Sequence, residues 1–492
     1  MLTLFARRLG SLITGSLAVL LAATAARGQC EVAQLQGSGG FGGVSLDGDV
    51  AVVGDAEAFG SLGAAYVFRR GPGGPEDWQL EAVLMSPEPD PDDSFGRVAV
   101  SGDVIVMGAS GAATPEFQSG AAYIYRYDPA TGGWEYEATL TASDGDASDI
   151  FGWSVSIDGD VVLIGARDDE NDGMTQSGSA YVFRYNADTS AWVEEAKLSD
   201  PEGEEYDLFG VSVSVRGDVA LIGAHGNDNI HGAAFVFRYK PDRLGEWVLE
   251  TELNHSDPLG QDWFGFSVSL GADVAVIGAF QDNSTDKGND AGSAYIFRYD
   301  GVDWIEEQKI TASDADPLDW FGLSVSISRD GQTAVIGAPD DEVQGFESGS
   351  AYVFRHTEQG WEEVIKLLAS DGGPSDIFGG SVSVSEDFAL IHGAGKGYVF
   401  AGIQGLDCNE NGDPDACDIF DGTSDDQNGN GIPDTCDADL NGDGVVGILD
   451  LLMLLAAWGP CDEPCPPACA GDLNGNCTVN VLDLLILLAN WG

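Results

Sequence analysis

Phe151-Gly152-Trp153-Ser154-Val155-Ser156-Ile157-Asp158-Gly159-Asp160-Val161-Val162-Leu163-Ile164-Gly165-Ala166, followed by Gly178-Ser179-Ala180-Tyr181-Val182-Phe183 and by the segment from Trp192 to Leu198, forms a cassette that recurs along the chain. Its opening Phe-Gly pair falls at Phe41, Phe95, Phe151, Phe209, Phe264, Phe321 and Phe378, with spacings of 54, 56, 58, 55, 57 and 57 residues. A period this regular, with several short strands in each unit, is the signature of a repeat architecture.

Four strands can be read in each unit. Ser154 to Ile157 alternates small polar with apolar residues, Val161 to Ile164 is a β-branched run, and Tyr181-Val182-Phe183 is a third segment. The fourth, Trp192 to Leu198, has a mixed pattern that suits an exposed outer strand. Asp158-Gly159-Asp160 joins the first two as a tight hairpin, because such turns need positive φ. Matching turns are expected around Asp49, Asp103, Asp218 and Asp273, with departures around Gly331 and Asp387. One four-stranded blade cannot bury both faces, whereas seven in a ring can, so the fold class is all-β, a seven-bladed propeller of four-stranded blades.

Three further regularities support the ring. Gly-Ala at Gly108, Gly165, Gly223, Gly278, Gly337 and Gly393 marks places where inner strands are expected to crowd together near the axis. Trp78, Trp134, Trp192, Trp247, Trp304 and Trp361 cover apolar area on the outer strands. The seventh unit stops near Phe400 without an outer strand, yet Glu31-Val32-Ala33-Gln34-Leu35 aligns with Glu363-Val364-Ile365-Lys366-Leu367 and would close the last blade.

These units resemble FG-GAP repeats, the blade repeats of the integrin alpha-chain propeller, over residues 31–403. The resemblance implies an extracellular or cell-surface protein that binds other macromolecules. Integrin-type blades often carry a calcium loop between the first two strands. Here that position holds only a turn such as Asp158-Gly159-Asp160, too short to wrap an ion.

Arg7 and Arg8, the apolar stretch Leu12 to Ala23 and the small residues up to Ala26 read as a signal peptide over 1–26, which implies export. With 82 Asp plus Glu against 21 Lys plus Arg, the formal charge is -61, which disfavours nucleic acid and anionic membranes as partners. Seven of the eight cysteines follow residue 407, a usage that points to C-terminal disulfides outside the cytosol.

Acidic groups in the propeller fall into two sets. Asp168, Glu170, Asp172 and Gly173 approximate a cation loop, as do Asp282 and Asp286 more poorly, but no ligand spacing repeats from blade to blade and solvated loops are expected. Asp93, Asp149, Asp207, Asp262, Asp319 and Asp376, each two residues before Phe, are expected to accept backbone N–H bonds in a turn. The five histidines occupy unrelated positions and no nucleophile elbow or zinc-protease helix is present, so no enzyme is expected. The alternative is a polysaccharide-acting enzyme or a component of a polysaccharide-degrading complex.

From residue 401 onward there is no Lys or Arg, against 17 Asp plus Glu. In the linker 404–438, Asp407, Asn409, Asn411, Asp415 and Asp418 stand at loop positions 1, 3, 5, 9 and 12, with Gly412 at 6. Asp426, Asn428, Asn430, Asp434 and Asp437 repeat the frame 19 residues on. Oxygen ligands at these positions wrap a hard cation such as Ca2+. In 439–492, Asp439, Asn441, Asp443, Val445 (through its carbonyl) and Asp450 precede a short helix. Asp472, Asn474, Asn476, Thr478 and Asp483 repeat that arrangement 33 residues later. The linker resembles the calcium-wrapping repeats of thrombospondins. The last module, an EF-hand-like pair of loop-helix units, resembles a dockerin, which implies docking onto a cohesin-like partner. It departs from the pattern in Cys477 at position 6 and in Cys461, Cys465 and Cys469 between the helices. The whole reads as a secreted or cell-surface, calcium-dependent binding, adhesion or scaffold protein whose partner is an extracellular protein or polysaccharide.

Overall fold

The computed structural model describes residues 30–460 apart from 38–41, 91–92, 94, 114–116, 172, 228–230, 244, 259, 284–288 and 404–447, and in the tail residues 471, 473 and 478–489. The signal segment and the linker lie outside the described residues.

Seven four-stranded antiparallel sheets are present. In the third, Ser154–Asp158, Val161–Ala166, Ser179–Asn186 and Ala191–Leu198 lie side by side in chain order. The first strands of the seven sheets touch one another in sequence, and that of the seventh touches that of the first, which closes the ring. The seventh sheet takes its outer strand from the N-terminal side: Cys30–Gln36 pairs antiparallel with Lys396–Ala401.

The Phe-Gly pair is the wedge between blades. Phe95, Phe151, Phe209, Phe264, Phe321 and Phe378 are wholly buried. Phe151 packs edge-on against Tyr181 at 5.4 Å and Phe183 at 6.1 Å, and its N–H donates to Ser119 of the preceding blade at 3.0 Å. The Gly-Ala crowding is also an inter-blade contact: a Cβ on Gly165 would sit 2.0 Å from the carbonyl oxygen of Gly210.

Serines tie the inner strands together. Ser154 Oγ donates to the Gly210 carbonyl at 2.8 Å, and Ser212, Ser267 and Ser324 repeat the bond one blade further on. Two residues along, Ser156 Oγ accepts the Val215 N–H at 3.0 Å, a tier continued by Ser214, Ser269, Ser326 and, across the ring seam, Ser383 to Leu46. Strands that are neighbours around an axis diverge too much for a backbone ladder, and these hydroxyls satisfy the N–H groups such a ladder would have used.

The mixed pattern of the outer strand has a specific cause. Each blade carries a β-bulge between its third and outer strands. The extra residue is Glu81, Glu137, Glu195, Glu250 or Glu307 in blades one to five, and the bulge re-aims its carboxylate. Glu195 accepts from Arg184 of its own blade at 3.1 Å and from Trp247 Nε1 of the next at 2.9 Å. Trp134, Trp304 and Trp361 repeat that indole bond. The tryptophans therefore serve blade packing.

The hairpin turns follow the expectation in blades one to four, where Gly48, Gly102, Gly159 and Gly217 have φ of 53 to 60°. The turn around Asp273 does not match. Three residues separate Leu270 from Val274 there, and Gly271 does not have positive φ.

Candidate functional site

Of the acids read as solvated or as a partial cation loop, Asp282 is instead paired inside the blade. Asp282 is buried, and Lys309 Nζ lies 2.7 Å from it and 2.8 Å from Asp257. Tyr295 donates its hydroxyl to the same two carboxylates at 2.8 and 2.7 Å. Blade three repeats this with Asp144, Asp169, Lys197 and Tyr181, and blade six with Asp314, Asp341, Lys366 and Tyr352. In blade seven the ammonium comes instead from Lys396, 2.6 Å from Asp371, because Gln34 holds the position of the usual lysine. A lysine thus fills the place a metal would take between paired carboxylates. Burial alone would lower the pKa of Lys309, but the bonds to Asp257 and Asp282 outweigh it and raise the ammonium above its ordinary value. Asp168 faces Arg167 at 3.5 Å and Glu170 is exposed, while Asp172 and Asp286 lie outside the described residues.

Five of the six acids two residues before Phe accept a backbone N–H in a turn, and the sixth, Asp262, lies 3.7 Å from His255 Nε2. Asp149 accepts the Asp146 N–H at 2.6 Å, and Asp93, Asp207, Asp319 and Asp376 do the same. Burial pushes Asp149, Asp207 and Asp319 up to about 6 despite that bond.

The ring leaves two axial ends. At the hairpin end, a cavity of about 510 Å3 is lined by Asp47, Asp158, Asp160, Asp218, Arg184 and Arg329 among others. Arg329 reaches from blade six to Asp158 of blade three at 2.6 Å. Arg216-Gly217-Asp218, an adhesion-like tripeptide, lies here as a turn. Arg216 is half-buried and donates to the Leu270 carbonyl at 3.4 Å, so its guanidinium is drawn under the next blade and not presented. Arg216→Asp should leave melting and partner binding almost unchanged, whereas Gly217→Val should destabilise by roughly 1–3 kcal/mol, because a β-branched residue is forced to positive φ. Paired melting curves and a solid-phase binding assay check both. Loss of binding in Arg216→Asp without a change in melting would restore an adhesion role.

At the opposite end, where the inner strands begin, side chains form an arc across blades two to six. Arg97 and Arg167 lie 5.2 and 3.5 Å from the Trp153 ring centroid. His225 stacks on Trp263 at 4.6 Å and meets Phe266 edge-on at 5.4 Å. Phe280 continues to Trp263 at 5.3 Å and to Trp320 at 5.5 Å. His225 is buried, and burial, then the nearby Arg167 charge, lowers it to about 4. Sequence reasoning missed this arc. The signal was available as variation: the residue after Phe-Gly reads Arg97, Trp153, Val211, Phe266 and Leu323, while its flanks are nearly invariant between repeats.

In the tail, helices Ile448–Ala456 and Val481–Ala489 pack through Leu454, Leu473, Val479 and Leu487, with Gly459–Pro460 paired to Thr478–Val479. Of the predicted calcium ligands, Asp450, Thr478 and Asp483 are described and the others lie outside the described residues. Asp450 and Asp483 are wholly buried in the first turns of the two helices. Asp483 accepts the Asn480 N–H at 2.7 Å, Asn480 Oδ1 accepts the Leu482 N–H at 2.9 Å, and the Thr478 carbonyl accepts from Asn480 Nδ2 at 2.7 Å. The Asp450 and Asp483 carboxylates and the Thr478 carbonyl are hard oxygen donors, the kind a hard cation takes. Among the described residues no group of three or more His, Cys, Asp or Glu is placed to hold a metal. No helix among them is long and apolar enough to cross a membrane. Cys30 is disulfide-bonded, and no disulfide joins two described residues.

The FG-GAP repeat model matches residues 78–125, 134–183, 192–237, 247–297, 304–354 and 361–399, more than half of the chain. Each match begins at an outer-strand position and ends on the third strand of the following blade, so the sequence repeat is offset from the blade. No curated protein matches. Among solved structures, the mitotic checkpoint complex is similar at 12% identity and a TM-score of 0.47, over 75% of this chain and 93% of that one. Sqt1 of Saccharomyces cerevisiae is similar at 9% identity and a TM-score of 0.42, over 74% and 83%.

Proposed function

The chain belongs to the FG-GAP repeat family, and from that premise we propose that it is a secreted, non-enzymatic binding scaffold whose propeller recognises an extracellular partner and whose calcium-dependent tail attaches it to a second protein. The observation that carries the attachment is a duplicated apolar stripe. Ile448, Leu449, Leu452 and Leu455 on the first tail helix, and Val481, Leu482, Leu485 and Leu488 on the second, are exposed at positions 33 residues apart. Equivalent positions match closely, 56% for Leu452 and 57% for Leu485. Exposed apolar patches of this kind mark interaction surfaces, and two copies offer a partner two equivalent faces. A cohesin-like protein is the partner the loop-helix duplication suggests. Asp439, Asn441, Asp443, Val445 and Asp450, with Asp472, Asn474, Asn476, Thr478 and Asp483, would hold calcium, which fixes each helix on its loop.

The binding assignment over an enzymatic one is supported by where the titratable groups are used. His255 is stacked on Phe264, His356 bonds Glu307, and the buried acids of blades three, five and six are neutralised by lysines. The test is capture of secreted and surface proteins by the full chain in calcium, in chelator, and by the Leu452→Glu, Leu485→Glu double variant. A partner held in calcium and lost in the other two supports the reading. A partner retained equally in all three removes the tail from attachment.

A further inference from the structure

The arc at the end of the axis where the inner strands begin brings together two arginines, a run of aromatic rings and three buried nitrogens without a hydrogen-bond partner. We propose that it binds a uronic acid residue, with the carboxylate held by Arg97 and Arg167 and the sugar ring seated against the aromatic side chains. This rests on the reading of the disc as a recognition element and names its ligand class.

Arg97 is the first observation. In a chain with 82 acids to 21 Lys plus Arg, the outer arginines Arg69, Arg126, Arg184, Arg238 and Arg298 all bond a glutamate. Arg97 has no ion pair among the described residues and keeps exposed surface. An arginine without an ion pair among the described residues, amid such an excess of carboxylate, is available to an incoming one, and a guanidinium grips a carboxylate through two parallel N–H bonds.

Unsatisfied nitrogens are the second. Arg167 Nε, His225 Nδ1 and Trp263 Nε1 are buried without a hydrogen-bond partner, and His225 is only 4% exposed. His225 stacks on Trp263 and lies close enough to Arg167 for that charge to depress its pKa, so the three nitrogens share one site. Buried polar groups are normally paired, so these nitrogens mark a place where side chains would gain hydrogen bonds by shifting toward a ligand, Arg167 Nε having only the Asp168 carboxylate at 3.5 Å beside it.

Charge decides the valence. Arg97 and Arg167 contribute two positive charges, Asp168 beside Arg167 removes one, and the buried His225 is neutral near pH 7. The net single charge suits one carboxylate, while an extended polyanion would be repelled by a protein of formal charge -61. The ring surface decides the shape. Trp263 and Trp320 are half-buried and both are held at φ of 58°, a conformation bulky residues rarely adopt. Flat aromatic surface beside donors suits the C–H face of a sugar ring more than a flexible acidic side chain.

The full-length protein is titrated with D-glucuronic acid, with glucose and with the tripeptide Gly-Glu-Gly, followed by ligand-observed NMR at low ionic strength. Saturable glucuronate binding is expected, with glucose at least tenfold weaker. Arg97→Gln should weaken glucuronate at least tenfold without moving the melting curve. Trp320→Leu provides a second variant, expected to weaken glucuronate while sparing the fold. Equal binding of glucose, or unchanged binding in both variants, overturns the proposal. Arg97-dependent binding of the peptide without glucuronate overturns it in favour of an acidic peptide. Partner capture that survives while glucuronate fails to bind rejects the sugar site and leaves the scaffold, whereas glucuronate binding without any captured partner supports the site and counts against the scaffold.

Discussion

A variant lacking Glu31 to Leu35 is expected to lose roughly 3–6 kcal/mol of stability and to aggregate, because Val32 and Leu35 are buried at 7% and 2% exposure and each such side chain contributes about 1.5–3 kcal/mol. Those two residues belong to the core shared by the first and last blades, with Val44, Val53, Phe388 and Leu390. The deletion also strips Lys396–Ala401 of its ladder partner, which leaves a row of unpaired backbone groups open to other chains. Glu31 accepts from both Ser370 N–H and Oγ at 2.8 Å, the contact that Glu194, Glu306 and Glu363 make in other blades. The ring itself should not spring open, since Ser381, Ser383 and Ser385 still accept from Val44, Leu46 and Gly48 across the seam. The expected result is therefore a lower melting temperature and concentration-dependent association, with strand content largely kept. Calorimetry and size-exclusion chromatography measure both, and a variant that melts like the parent and stays monomeric would show that the strand adds nothing to closure.

What could be read from residues was whatever depended on local pattern. The Phe-Gly period, the β-branched second strand and the glycine hairpins are each set within a few residues, and they place the blades correctly. The outer strand was legible as a strand, but the bulge in it was not, because one inserted residue only blurs the pattern. Glu195 looks like one more acid in Trp192 to Leu198 until the bulge turns it toward Arg184 and Trp247. The acidic loops resisted for a different reason. Asp282 reads as a cation ligand in sequence because its partner, Lys309, lies 27 positions away on another strand, and only the blade brings the two to 2.7 Å. The serine tiers were visible only as alternation, although they are what joins one inner strand to the next. The arc around Trp153 follows the same logic: five blades each contribute between one and three side chains, and no window of sequence contains the site.

Chelating calcium from the full-length protein is expected to unfold the two tail helices while the propeller transition stays in place. The helices span nine residues each, too short to persist alone in water, and the core they share is small, with Leu454, Leu473, Val479 and Leu487 as its buried members. Against that small gain stands the burial of Asp450 and Asp483 at 0% exposure, in a segment without a basic residue from 401 onward. A cation bound at these carboxylates would offset part of their desolvation, which is the ground for expecting the tail to respond to chelation. A site held at a hundred times its Kd adds about 2.7 kcal/mol, which is enough to decide whether so small a module is folded. Asp483 complicates a simple deletion, because it also accepts the Asn480 N–H while Asn480 accepts the Leu482 N–H, a reciprocal cap that stabilises the helix start without any metal. Asp483→Asn separates the two roles, since the amide oxygen can still accept the cap bond but the charge is gone. In chelator the variant and the parent should show the same weak helix signal by circular dichroism. In calcium the parent should gain helix and a separate tail transition, and the variant should gain little. Equal calcium response in both proteins would assign Asp483 to the cap alone, and a parent whose helices survive chelation would remove calcium from the folding of the tail.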